Sequence, residues 1–171
     1  MPKIIENARE HLLAEAKKQV LARGYAATTM RSVASACGLG VGTVYNYFES
    51  KEMLIASFVY DDWKRYYAEM TEIPCDDPKV LLEGIHRLLK AFAKENEVLF
   101  SDEDAAKQSS VGLPNRHKML RMQIATLVAP VCKHEGQNEF LSEFIAEALI
   151  TWSMENVPFD SVYAILEKIL K

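Results

Sequence analysis

Ile5, Ala8, Leu12, Ala16 and Val20 recur at every third or fourth position, and similar spacing returns in segment after segment to the end of the chain. That period lines one face of a helix with apolar side chains, whereas a half-buried strand would alternate at every second residue. No segment shows sustained alternation with β-branched enrichment, so the pattern predicts an all-α protein. With 171 residues, 49% of them hydrophobic, the chain can bury a real core in one large or two small domains.

The first helix is expected over residues 4–23, with Gly24 placed to end it in a left-handed cap. A short second helix follows "ATT", with Thr28 or Thr29 as cap, Val33, Ala34 and Ala36 for close packing, and Gly38 as stop. A third short helix spans 40–47. Ser50 caps a fourth over 51–70, with Met53, Leu54, Phe58 and Tyr60 expected to face the core. The stretch "EIPCDDP", residues 72–78, combines two prolines with two aspartates, so it breaks the pattern and marks a hinge. Further helices are expected over 78–94, from Asn115 until Pro130 kinks or ends it, over 138–155, and from Pro158 onward. Between them "SDEDAAKQSSVGLP", residues 101–114, reads as a weakly helical, mobile segment.

Net charge is -4, yet it is unevenly spread: residues 1–51 hold seven Lys/Arg against four Glu, giving +3, and the rest carries -7. A mildly basic head on an acidic body draws one end of the molecule toward a polyanion and keeps the body clear of it. Three distant cysteines, Cys37, Cys75 and Cys132, suit reduced thiols better than a disulfide framework. No run approaches the roughly 18 apolar residues of a membrane span, and "MPKIIENAR" lacks an apolar leader core. A cytoplasmic protein with no membrane partner is expected.

A short helix, a turn with glycine, and a second short helix bearing polar and aromatic groups make a helix-turn-helix, and residues 29–48 fit that plan. The first turn of a recognition helix is driven against DNA, where a Cβ at Gly40 or Gly42 would hold backbone and phosphate apart. Thr43, Tyr45, Asn46 and Tyr47 can then reach base edges or phosphates, while Val44 and Phe48, four apart, turn into the core. Lys51 opens the next helix, its ammonium expected to be free for a phosphate.

"TTMRSVASACGLGVGTVYNYFESKEML", residues 28–54, resembles the DNA-binding domain of the TetR/AcrR family of bacterial transcriptional regulators. The matching features are the Thr28-Thr29 pair, Val33-Ala34, Gly38, the run Gly42-Thr43-Val44-Tyr45, Tyr47-Phe48, Lys51 and Leu54. Gly40 stands where the family often has a capping serine, and Glu49 where a basic or neutral residue is usual. The resemblance implies a DNA-binding domain over 1–50, with Thr29, Arg31, Gly40, Gly42, Thr43, Tyr45, Asn46, Tyr47 and Lys51 toward DNA. It further implies a ligand-binding and dimerisation domain over 51–171. A repressor would follow, binding an inverted-repeat operator as a homodimer and released by a small-molecule effector, without cofactor or catalysis. Trp63, Tyr67, Phe92, Phe100, Met119 and Met122 are candidates to line the effector pocket.

Two consecutive apolar helices at the chain end carry more apolar surface than one small body covers, so Phe140, Phe144, Ala148, Trp152, Val162, Ile165 and Ile169 are expected at a dimer interface. His86, His117 and His134 share no ligand spacing, and no metal site is expected. Cys37 reads as a packing residue rather than a thiol sensor. The rival readings are a small helical ligand carrier or enzyme without regulatory DNA binding, and an interaction module built on the acidic body. No Ser/His/Asp, Cys/His or phosphate-cradling glycine arrangement favours the enzyme.

Overall fold

The computed structural model describes residues 7–101, 113–132 and 140–170. The helix start expected at Ile4, nearly all of the 101–114 stretch, the start at Asn138, and His134 lie outside the described residues. The described elements are all helical: α1 (Ala8–Ala27), α2 (Met30–Ala36), α3 (Val41–Tyr47), α4 (Lys51–Thr71), α5 (Pro78–Glu95), α6 (Glu97–Phe100), α7 (Leu113–Val128) with a 3-10 turn (Ala129–Cys132), α8 (Leu141–Met154) and α9 (Phe159–Leu170). The all-α expectation holds. Contacts gather the chain into two compact units, one of residues 7–62 and 96–101, the other of 63–95, 113–132 and 140–170.

Local chemistry sets the ends of the first helices. Gly24 breaks α1 with φ 82 and ψ 170, one final turn follows, and the Thr28 hydroxyl donates back to the Gly24 carbonyl at 3.0 Å. Thr29 caps α2: its Oγ1 accepts from the Ser32 N–H at 3.0 Å, and the Ser32 Oγ accepts from the Thr29 N–H at 3.0 Å. This reciprocal pairing satisfies two otherwise open backbone donors. Gly38, at φ 67, closes the helix, and the Leu39 N–H returns to the Ala34 carbonyl at 2.9 Å, the bond of a left-handed helix stop. Ser50 caps α4 by accepting from the Met53 N–H at 3.2 Å.

The first unit closes over one core. Leu12, Leu13, Ala16 and Val20 of α1 meet Met30 and Val33 of α2, Val44 and Phe48 at α3, and Leu54, Ile55 and Phe58 of α4. Leu99, on the short α6 that the sequence did not announce, completes it. Two polar links tie the helices further. Lys17 Nζ donates to both Asp62 carboxylate oxygens at 2.7 Å, and buried Gln19 of α1 exchanges hydrogen bonds with Ser32 of α2, donating to its carbonyl and accepting from its hydroxyl. Met53 and Tyr60, expected in this core, are exposed instead. Residues 54, 55 and 58 already fill the inward stripe of α4, and positions 53 and 60 lie seven apart on its outer face.

In the second unit α8 packs against both α5 and α7, and Ile145, Ala146, Leu149 and Ile150 of α8, Leu82, Ile85 and Leu89 of α5, and Ile124 and Val128 of α7 are all buried. Pro130 ends α7 in the 3-10 turn, as its missing N–H requires. Buried His86 of α5 lies 5.5 Å from the Phe159 ring at the start of α9. Its Nε2 has no hydrogen-bond partner among the described residues. Burial pushes this imidazole below the usual histidine range, Lys90 adds to the shift, and a hydrogen bond to the Val157 backbone and the charge of Glu83 oppose it.

Candidate nucleic-acid interface

A helix of seven residues is far below the roughly 12–15 that an isolated helix needs in water, so α3 must be held by its anchors. Val44 is fully buried and Phe48 nearly so; together they are worth about 3–6 kcal/mol of apolar burial. With that face fixed, the 3.6-residue period turns Tyr45, Asn46 and Tyr47 outward, and all three are exposed. Gly40 and Gly42 are exposed and Thr43 is half-buried on the same first turn. Gly40 caps α3 without a side-chain hydrogen bond, as its lack of a hydroxyl dictates.

Space around the glycines is informative. A Cβ added at Gly84 in α5 would come within 2.7 Å of Ile73 Cδ1, so glycine there serves internal packing. A Cβ at Gly42 meets nothing within 4 Å, and one at Gly40 meets only Thr43 Oγ1, at 3.9 Å. Neither has a positive φ, and Gly40 lies at φ -69. The interior of the protein therefore sets no demand for glycine at either position.

Thr29 and Arg31 stand exposed at the start of α2. The Thr29 hydroxyl oxygen is engaged as the helix cap, which leaves its O–H hydrogen to donate. Lys51 differs from expectation. Its ammonium is not free: Nζ donates to the Tyr25 carbonyl at 3.1 Å and sits 3.7 Å from the centre of the Tyr25 ring. A cation at a helix N-terminus opposes the helix dipole, so a carbonyl and a π face are natural partners for it. The next residue, Glu52, accepts from the Tyr25 hydroxyl at 3.0 Å. A hydrogen bond from Ser50, then its own backbone N–H, then Tyr25 and Lys51 hold the Glu52 carboxyl below the usual range, against the opposing effect of burial. Tyr25 was missed in the sequence; its one signal there is an aromatic residue directly after a helix-ending glycine. Arg9 was missed as well, and it lies 5.8 Å over the Phe48 ring while pairing with Asp61 at 3.5 Å. Cys37 is half-buried, burial raises its thiol pKa, and its Sγ lies 3.7 Å from the His11 carbonyl, all in keeping with packing.

The candidate effector residues divide. Trp63 is buried, stacks on Tyr67 at 6.1 Å and meets Phe92 edge-on at 5.4 Å, while its Nε1 donates to Gln123 Oε1 at 2.8 Å. Met119 is half-buried. Met122 faces solvent, and Phe100 is exposed in the other unit. Among the expected dimer residues, Phe140, Phe144 and Trp152 are exposed and Ala148 half-buried, a ridge at intervals of four along one side of α8. Ile165 and Ile169 are exposed on α9. Val162 is the exception: with Leu166 and Leu170 it forms the inner row of α9 and is buried in its own unit.

Residues 12–58 match the family model described as bacterial regulatory proteins, tetR family. The HTH-type transcriptional regulator UidR of Escherichia coli strain K12 is 25% identical over 140 residues, which is 82% of this chain and 65% of that protein. The chain thus spans just under two thirds of the length of the curated relatives it matches. Salmonella enterica GusR superposes with a TM-score of 0.66 at 18% identity, covering 98% of this chain and 96% of that one. A TetR-family regulator from Pectobacterium atrosepticum gives 0.64 at 20% identity, covering 99% and 92%. The solved structures share the fold.

Proposed function

We propose, from the premise that this chain is a TetR-family transcriptional regulator, that it is a cytoplasmic repressor that binds an inverted-repeat operator as a homodimer and is released by a small molecule. The observation that carries the reading is α3: a neutral helix anchored by Val44 and Phe48 with Tyr45, Asn46 and Tyr47 turned outward. Tyrosine hydroxyls and the asparagine amide donate and accept as base edges and phosphates require. Residues 1–50 are the DNA-reading domain and 51–171 the effector and dimerisation domain. The exposed ridge of α8 with Ile165 and Ile169 supports a two-fold interface, since such a patch on one chain is self-complementary by symmetry. Two copies would present two α3 helices to major grooves one or more helical turns apart.

An apolar or amphipathic effector beside Trp63, Tyr67, Phe92 and Met119 would act through α4 by population shift. It must favour the released state by about 1–3 kcal/mol. The deciding experiment is binding of the purified protein to the DNA upstream of its own gene, with and without a small-molecule library. Saturable binding that a library member weakens is the expected result. Absence of specific binding at any salt would return the chain to the carrier or interaction-module readings.

A further inference from the structure

Tyr25 belongs to the core of the first unit, and its carbonyl, ring and hydroxyl also engage Lys51 and Glu52 at the start of α4. Tyr25 is buried directly after the break at Gly24, and it meets the first turn of α4 across 26 residues of sequence. It gives the same ammonium two partners at once, its carbonyl at 3.1 Å and its ring at 3.7 Å. The far end of the ring is tethered through its hydroxyl to Glu52, 3.0 Å away, and the ring itself is buried. A free lysine carries much rotamer freedom, which any contact made by its ammonium must suppress. Here that freedom is already restricted. The ammonium has three donors and the Tyr25 carbonyl uses one, and Lys51 remains only half-buried.

We propose that Tyr25 is a positioning residue for DNA: it seats the Lys51 ammonium before the duplex arrives, so that a backbone phosphate is met by a donor already in place. The inference rests on the reading of Lys51 as a phosphate contact. A phosphate contact is independent of sequence, so any short mixed-sequence duplex serves as probe.

The test is a double-mutant cycle on the full chain, measuring affinity for that duplex at fixed salt, with thermal melting to confirm folding. Tyr25→Leu removes the ring and is expected to weaken binding about two- to tenfold, the worth of one immobilised side chain. In a Lys51→Met background it should have no further effect. Tyr25→Phe, which keeps ring and carbonyl, should stay within about twofold of the unmodified protein. Equal weakening in both backgrounds, a Phe variant as weak as the Leu variant, or tighter binding on losing the ring each overturns the proposal. If Tyr25→Leu does not fold, the unmodified protein still decides by NMR. The Lys51 ε-methylene protons should carry an upfield ring-current shift that survives saturation with duplex; a shift that is absent, or that collapses on binding, overturns the seat. A protein that binds no duplex at low salt removes the DNA reading and this role together, yet the free-protein ring-current shift would persist, so the two failures are told apart.

Discussion

Two helical faces expose aromatic rings to almost the same extent and with opposite chemistry. On α3, Tyr45 and Tyr47 are 52% and 44% exposed; on α8, Phe144 and Trp152 are 46% and 42% exposed. Glycine, threonine and asparagine share α3 with the tyrosines, whereas alanine shares the Phe/Trp ridge of α8, and Ile165 and Ile169 are exposed on α9. A hydroxyl-bearing ring can leave water for another polar surface without losing hydrogen bonds, whereas an apolar ridge gains only by meeting another apolar surface. Exposure alone does not distinguish the two faces; the atoms at the ends of the rings do.

The largest effect should come from spoiling the apolar ridge. Phe144→Glu places a charge twice in the proposed two-fold interface and is expected to raise the dissociation constant of that dimer on the order of a thousandfold or more. Sedimentation should then report monomers with unchanged helicity, and a persistent dimer would move the interface off α8. On the polar face, Tyr45→Ala should cost about ten- to a hundredfold in operator affinity, with the melting temperature little changed because the side chain is exposed. Undiminished affinity at constant salt would sink the assignment of Tyr45.

Acid should separate the units rather than the faces. His86 is held neutral in the second unit, and its folded-state pKa lies below its unfolded value. The unfolded chain therefore takes up a proton first, and stability is lost as pH falls from about 6.5 toward the lower folded value. Melting followed at pH 7.5 and then at progressively lower pH should show this loss in the unmodified protein and a smaller one in His86→Leu. Equal acid sensitivity in both would clear His86.

The smallest effect is also the sharpest for α3. Gly42→Ala replaces a glycine in the first turn of α3 and should stabilise the fold by up to about 1 kcal/mol, since the added methyl meets nothing beyond its own helix turn within 4 Å. If the glycine provides clearance for DNA, the same change lowers operator affinity. Greater stability with undiminished affinity would refute clearance.

Much of the head was legible because its determinants act over a few residues. Thr29 capping Ser32, Gly38 ending α2, Ser50 capping Met53, and Val44 paired with Phe48 all operate within five positions of sequence. The same short range explains the misreadings. Met53 and Tyr60 are apolar enough for a core but sit on the outer side of α4, and Val162 lies in the inner row of α9 rather than beside Ile165. Periodicity marks a stripe without saying how wide a stripe the neighbouring helices will cover.

The sequence by itself determined the helical class, the caps and stops of the reading head, and the split between polar and apolar exposed rings. These follow from side-chain chemistry and a 3.6-residue repeat. Only the tertiary structure decided that Leu99 completes the core of the head, and that the Tyr25 ring lies under an ammonium 26 residues away. Such meetings depend on the path of the chain between distant residues, and no local rule reaches across a helix-turn-helix to fix them.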